Sequence, residues 1–145
     1  MEKAILKTLA YYDIFDYPLK VWEVHKWLIG SSANLKQVEK RLSKMKETGS
    51  VNNKGDYWFL QGRKNLVKGR LEREKVSSGH LKTAGIVSGF FKFIPWIKLV
   101  GVSGSLAMMG SRKTDDIDVF IVTGKNRIWI SRLMLILLTS LLGLR

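Results

Sequence analysis

The chain has no cysteine, only two prolines and two histidines, and little acid: 12 Asp and Glu stand against 25 Lys and Arg, a formal charge of +13. The absence of cysteine excludes disulfides, thiolate nucleophiles and zinc–thiolate centres, and fits a reducing cytoplasm, the expected location. His25 and His80 have no His-x-x-His spacing, so both read as structural or surface residues rather than metal ligands. Residues 1–18, MEKAILKTLAYYDIFDYP, carry acid and lack a small-residue cleavage site after a long apolar run, so no signal peptide is read there. No Asp or Glu follows Asp118. The uncharged run Leu133 to Leu144 spans 12 residues, short of the roughly 20 needed to cross a bilayer.

What is present describes a folded protein. A hydrophobic share of 46% over 145 residues argues against disorder and allows one domain or two small ones. Residues 1–100 hold 19 Lys and Arg against 9 Asp and Glu, and residues 101–145 hold 6 against 3, so most of the basic excess lies upstream. Such an excess favours a polyanionic partner, nucleic acid or an anionic membrane surface, without choosing between them.

The N-terminal part reads as three helices and a hairpin. Ala4, Ile5, Leu9 and Tyr12 mark a first helical face, which Pro18 interrupts. A second helix is expected over Leu19 to Leu28, with Val21, Trp22, Val24, His25 and Leu28 as core positions, ended by Gly30-Ser31-Ser32. The third has a cap at Ser32 or Asn34, apolar positions Leu35, Val38, Leu42 and Met45, and a stop at Gly49. A turn at Asn53-Lys54-Gly55-Asp56, flanked by Val51 and Tyr57-Trp58-Phe59-Leu60, predicts a hairpin. Together these suggest a winged helix-turn-helix over residues 1–62. In such a domain Lys36, Lys40, Arg41 and Lys44 on the third helix, with Lys54 on the wing, would contact nucleic-acid phosphates. The alternative is a solvated basic face on a packing or dimerisation module.

Residues 63–91 are again helical in pattern, with Leu66, Leu71, Leu81, Ala84, Val87 and Phe91 in an apolar stripe that Ser77-Ser78-Gly79 would kink or divide. Beyond Phe93-Ile94-Pro95 comes the most informative stretch, Leu99 to Thr123. Two short apolar runs, Leu99 to Val102 and Val119 to Val122, predict buried strands. Between them lie a Gly104-Ser105 turn, a short helix at Leu106-Ala107-Met108-Met109 and the acids Asp115, Asp116 and Asp118. Gly104 and Ser105 can cradle phosphate, because glycine lets backbone approach a ligand and the hydroxyl adds a donor. Asp116 and Asp118 are two apart, so on a strand they share a face, and paired carboxylates suit a divalent cation such as Mg²⁺. Arg112 and Lys113, in the loop ahead of them, could meet triphosphate oxygens. Each half alone also reads as an ordinary turn or as solvating acids at a strand start; the conjunction is less easily accidental.

That conjunction, Gly104-Ser105, ten residues, then Asp116-Ile117-Asp118-Val119, resembles the signature of the polymerase-β-like nucleotidyltransferase superfamily. The resemblance covers Gly101 to Val122. It implies a mixed-sheet transferase core in which Ser105 contacts the NTP triphosphate, for instance that of ATP, and Asp116 and Asp118 hold two Mg²⁺ ions. A winged helix ahead of such a core is similar to certain uncharacterised bacterial and archaeal nucleotidyltransferases. The family generally adds a third carboxylate on a later strand, which this chain lacks, so residues 63–145 read as the N-terminal, incomplete part of a core.

The expected fold is therefore α/β of the α+β kind. The expected function is transfer of a nucleoside monophosphate to a hydroxyl acceptor; the alternative is a nucleic-acid-binding or regulatory winged-helix protein with a degenerate core. The tail, Ile128 to Leu144, is apolar nearly all round and reads as a buried helix, with self-association through it as a further expectation and a membrane segment as the lesser alternative.

Overall fold

The computed structural model describes residues 1–141 and 143, and these form a mixed α+β protein of six helices and two small antiparallel sheets. The chain divides into two units, Met1–Glu72 and Arg73–Arg145. The division falls ten residues beyond the domain boundary expected at residue 62, inside a helix.

The first unit runs α1 (Glu2–Asp13), β1 (Leu19–Lys20), α2 (Val21–Lys26), α3 (Leu35–Glu47), β2 (Val51–Lys54) and β3 (Tyr57–Leu60), then the first turns of α4 (Leu66–Phe91). Helix α3 forms where its caps and periodicity put it. Asn34 accepts from the Gln37 N–H at 2.9 Å while Gln37 accepts from the Asn34 N–H at 3.0 Å, and Gly49 ends it at φ +74°. Val38, Leu42 and Met45 then join Ile5, Leu9, Leu19, Val24, Val51 and Trp58 in one core. The hairpin closes through a two-residue loop, Gly55-Asp56, with Lys54 opposite Tyr57 and Gly55 at φ +58°.

The expected second helix, Leu19 to Leu28, is corrected. Leu19 and Lys20 pair instead with Trp58 and Tyr57, giving a sheet of order β1-β3-β2. The helix is delayed to Val21 because Glu23 caps it: its carboxylate accepts the Lys20 N–H at 2.8 Å. Trp22, expected in the core, is 50% exposed, whereas Glu23 is buried. Burial of that carboxylate is made tolerable by Arg70, which donates to Glu23 Oε1 at 3.0 Å, with both side chains 2% exposed. The Arg70 guanidinium also lies 3.6 Å from the centroid of the Tyr17 ring.

The second unit holds the rest of α4, then β4 (Ile97–Val102), α5 (Gly104–Ala107), β5 (Val119–Thr123) and α6 (Ile128–Leu141). Four expectations change here. Helix α4 is unbroken through Ser77-Ser78-Gly79, where Ser77 is fully buried and Ser78 donates to its own helix at the Glu74 carbonyl. The sheet is not mixed: β4 and β5 are antiparallel, from Val102 opposite Val119 to Ile97 opposite Thr123, and no other strand joins them among the described residues. A two-stranded sheet covers little, so Leu99, Val119, Phe120 and Val122 are exposed rather than buried.

For the same reason α6 is not a buried helix. Ser131 is its one buried residue among those described, and Trp129 is 76% exposed. Leu142 and Leu144 of the expected tail helix lie outside the described residues. Among the described residues no helix is long and apolar enough to cross a membrane.

Candidate functional site

The candidate site is built where β4 ends. Ser103 is extended, and its N–H donates to the Asp118 carbonyl at 3.0 Å, which holds the acidic segment beside the end of the strand. Gly104 follows at φ +62°, a left-handed conformation that glycine adopts without strain. A Cβ placed there would collide with Asp118 Oδ2 and stand 3.3 Å from its carboxyl carbon. The glycine is thus required twice, once by its backbone and once by the carboxylate packed over its Cα. Gly104 opens α5, so the short helix expected at Leu106 to Met109 is shifted toward the N-terminus; it stops before Met109, which turns left-handed at φ +53°.

Asp116 and Asp118 were expected on a strand but lie in the segment just ahead of β5. Asp116 and Asp118 are exposed, whereas Asp115 and Ile117 are half-buried. Of the two exposed acids, Asp118 reaches Gly104 with its carboxylate.

Ser105 is already engaged. Its hydroxyl donates to Asp115 Oδ2 at 3.0 Å, and the Arg112 N–H donates to the same oxygen at 2.9 Å. With that proton committed, the 3.3 Å contact between Ser105 Oγ and Ser111 Oγ leaves Ser111 as the donor. The Ser111 N–H in turn donates to buried Ser77 Oγ at 3.0 Å, fastening the loop to α4. The Arg112 N–H first, and the Ser105 hydroxyl second, hold the Asp115 carboxyl below the usual carboxylate range. Arg112 and Lys113 are exposed on the same loop.

The donor set suits a hard cation: two solvent-facing carboxylates could hold Mg²⁺ with water and phosphate oxygens completing its shell. Among the described residues no group of three or more His, Cys, Asp or Glu could hold a metal by itself. Asp115 is turned to Ser105 and Arg112.

In the first unit the expected nucleic-acid residues divide. Lys36, Lys40 and Lys44 are exposed at four-residue spacing on α3, and Lys54 is exposed beside the hairpin loop. Arg41 instead donates to Glu2 Oε1 at 2.9 Å. Met1, Gln37, Lys40, Arg41 and Lys44 line a hollow of about 320 Å³ on this face.

Two features escaped sequence reading. Ser77 looked like part of a helix break, and Ser111 had no signal beyond following Gly110. The Glu23–Arg70 pair had none, since 47 positions separate its members.

No protein-family model, curated protein or solved structure matches this chain.

Proposed function

We propose that the chain is a nucleotidyltransferase-like protein, with an N-terminal winged helix-turn-helix followed by the first part of a polymerase-β-like core. Its chemistry would be transfer of a nucleoside monophosphate from an NTP to a hydroxyl acceptor. The observation that carries the reading is the Asp118 carboxylate packed over Gly104, with Asp116 exposed two residues before it. The two halves of a motif ten residues apart thereby meet in one place.

Asp116 and Asp118 are the residues that would hold magnesium. The chemistry Mg²⁺ supplies at such a pair is neutralisation of phosphate charge and activation of the attacking hydroxyl. The Asp118 carboxylate occupies the space over Gly104 at the end of β4, and the cationic side chains of Arg112 and Lys113 are exposed, where a triphosphate would arrive. With Asp115 engaged elsewhere, binding is the property these residues support most directly. ATP should bind in a Mg²⁺-dependent manner by isothermal titration, and Asp116→Ala with Asp118→Ala should abolish the Mg²⁺-dependent part. Binding indifferent to Mg²⁺, or unchanged in the double variant, overturns the reading.

A second reading, nucleic-acid binding through the winged helix, is favoured by one observation. Lys36, Lys40 and Lys44 project from α3 with no carboxylate partner among the described residues. Each lysine that replaces a counterion on a DNA phosphate contributes about 0.9 to the slope of log K against log salt. Duplex binding titrated at several salt concentrations should therefore lose about 0.9 of slope for each of Lys36→Ala, Lys40→Ala and Lys44→Ala. A slope unmoved by all three excludes this face.

A further inference from the structure

The Ser105 hydroxyl and the Arg112 N–H converge on a single oxygen, Asp115 Oδ2, at 3.0 and 2.9 Å. Two donors aimed at one anionic oxygen form a seat that a phosphate oxygen fits as well as a carboxylate oxygen does. The seat has support independent of its occupant. Ser111 donates to Ser105 Oγ, and the Ser111 N–H is tied to Ser77 Oγ inside α4, where both serines are fully buried. The donors therefore stay in place if the carboxylate leaves. Asp115 is half-buried and at the edge of the site, so its side chain can swing to solvent, and the exposed Arg112 and Lys113 side chains favour an incoming polyanion.

We infer that Asp115 is an internal stand-in for phosphate: its carboxylate fills the two-donor seat, and a triphosphate takes the seat by displacing it. The inference deepens the nucleotidyltransferase reading, on which it rests for the identity of the ligand. Asp115 then opposes binding twice over, by holding the only proton Ser105 can donate and by adding a negative charge where a polyanion must approach.

The test uses inorganic tripolyphosphate without metal, titrated calorimetrically into the full chain and its variants. Asp115→Ala empties the seat and should bind about tenfold more tightly than the unaltered chain, the scale of one hydrogen bond to a charged group. Asp115→Asn should fall between, since its amide oxygen still accepts from both donors without the charge. Adding Ser105→Ala to Asp115→Ala should reverse most of the gain. Weaker or unchanged binding in Asp115→Ala overturns the inference, as does a gain that survives Ser105→Ala. Should the alanine variant not fold, the unaltered chain decides: saturating tripolyphosphate should shift the Arg112 amide resonance, and an unshifted amide overturns the inference. The unaltered chain separates the two claims: a gain in tripolyphosphate binding on Asp115→Ala, with no Mg²⁺-dependent ATP binding by the unaltered chain, leaves the seat standing and removes the transferase reading.

Discussion

At single positions, two residues are constrained by physics that a substitution can expose. Gly104→Ala must place a Cβ against the Asp118 carboxylate from a left-handed backbone. The backbone alone costs about 1–2 kcal/mol, and the collision is relieved only by moving Asp118. The expected outcome is a lower melting temperature together with weaker Mg²⁺-dependent ATP binding; a variant that melts lower but binds equally well would separate the glycine from the site. Tyr12 is half-buried, stacked on Trp27 at 5.0 Å between ring centroids, and its hydroxyl is pushed above its ordinary 10.0, first by burial and then by Tyr11 and Glu23. A raised value in the fold means that the unfolded chain loses this proton first. The native state then binds more protons than the unfolded one, and stability falls as pH rises. The contribution is whole below pH 10.0 and drains away as pH rises through the native value. Denaturant midpoints measured on either side of pH 10.0 should fall less in Tyr12→Phe than in the unaltered chain. Equal slopes would place the alkaline loss elsewhere.

At the scale of elements, legibility follows the distance over which each element is specified. Helix α3 could be read because its cap, its Val38-Leu42-Met45 spacing and its stop at Gly49 are all local. The β2–β3 hairpin was equally plain, set by a glycine between two β-forming runs. Strand β1 was not, because two residues make a strand only when Trp58 and Tyr57 arrive from far along the chain. Ser77-Ser78-Gly79 has every local mark of a break, yet α4 passes through it, since the Ser77 hydroxyl is used to hold the Ser111 loop. The candidate site shows the same division. Gly104, Asp116 and Asp118 were legible as a spaced motif, and Arg112 and Lys113 as cations ahead of it. The hydrogen bond from Ser105 to Asp115 depends on how a ten-residue loop doubles back, which no periodicity records. The error over α6 has a comparable origin: an all-apolar pattern states that a surface wants cover, and not whether two strands can give it.

At the scale of the whole chain, the division after Glu72 has an energetic reason that the expected boundary at residue 62 misses. Residues 63–72 bring Val67 against Tyr57 and Phe59, and they bring Arg70 to the buried carboxylate of Glu23. A charge buried with its partner is tolerable, whereas the same charge left alone in the core costs about 3–5 kcal/mol. Arg63 adds contacts to Asp13 at 2.9 Å and Asp16 at 2.7 Å, but these are largely solvent-facing and weigh little beside the buried pair. A fragment of residues 1–72 should therefore melt cooperatively by circular dichroism, because its core and its one fully buried ion pair lie within it. A fragment of residues 1–62 keeps the same three helices and hairpin but leaves Glu23 without Arg70, and should be less stable by about 3–5 kcal/mol. Glu23→Gln in the shorter fragment removes the orphaned charge and should restore part of that loss, while in the longer fragment the same substitution should destabilise. If both fragments melt alike, the Glu23–Arg70 pair is not what ties the first turns of α4 to the N-terminal unit.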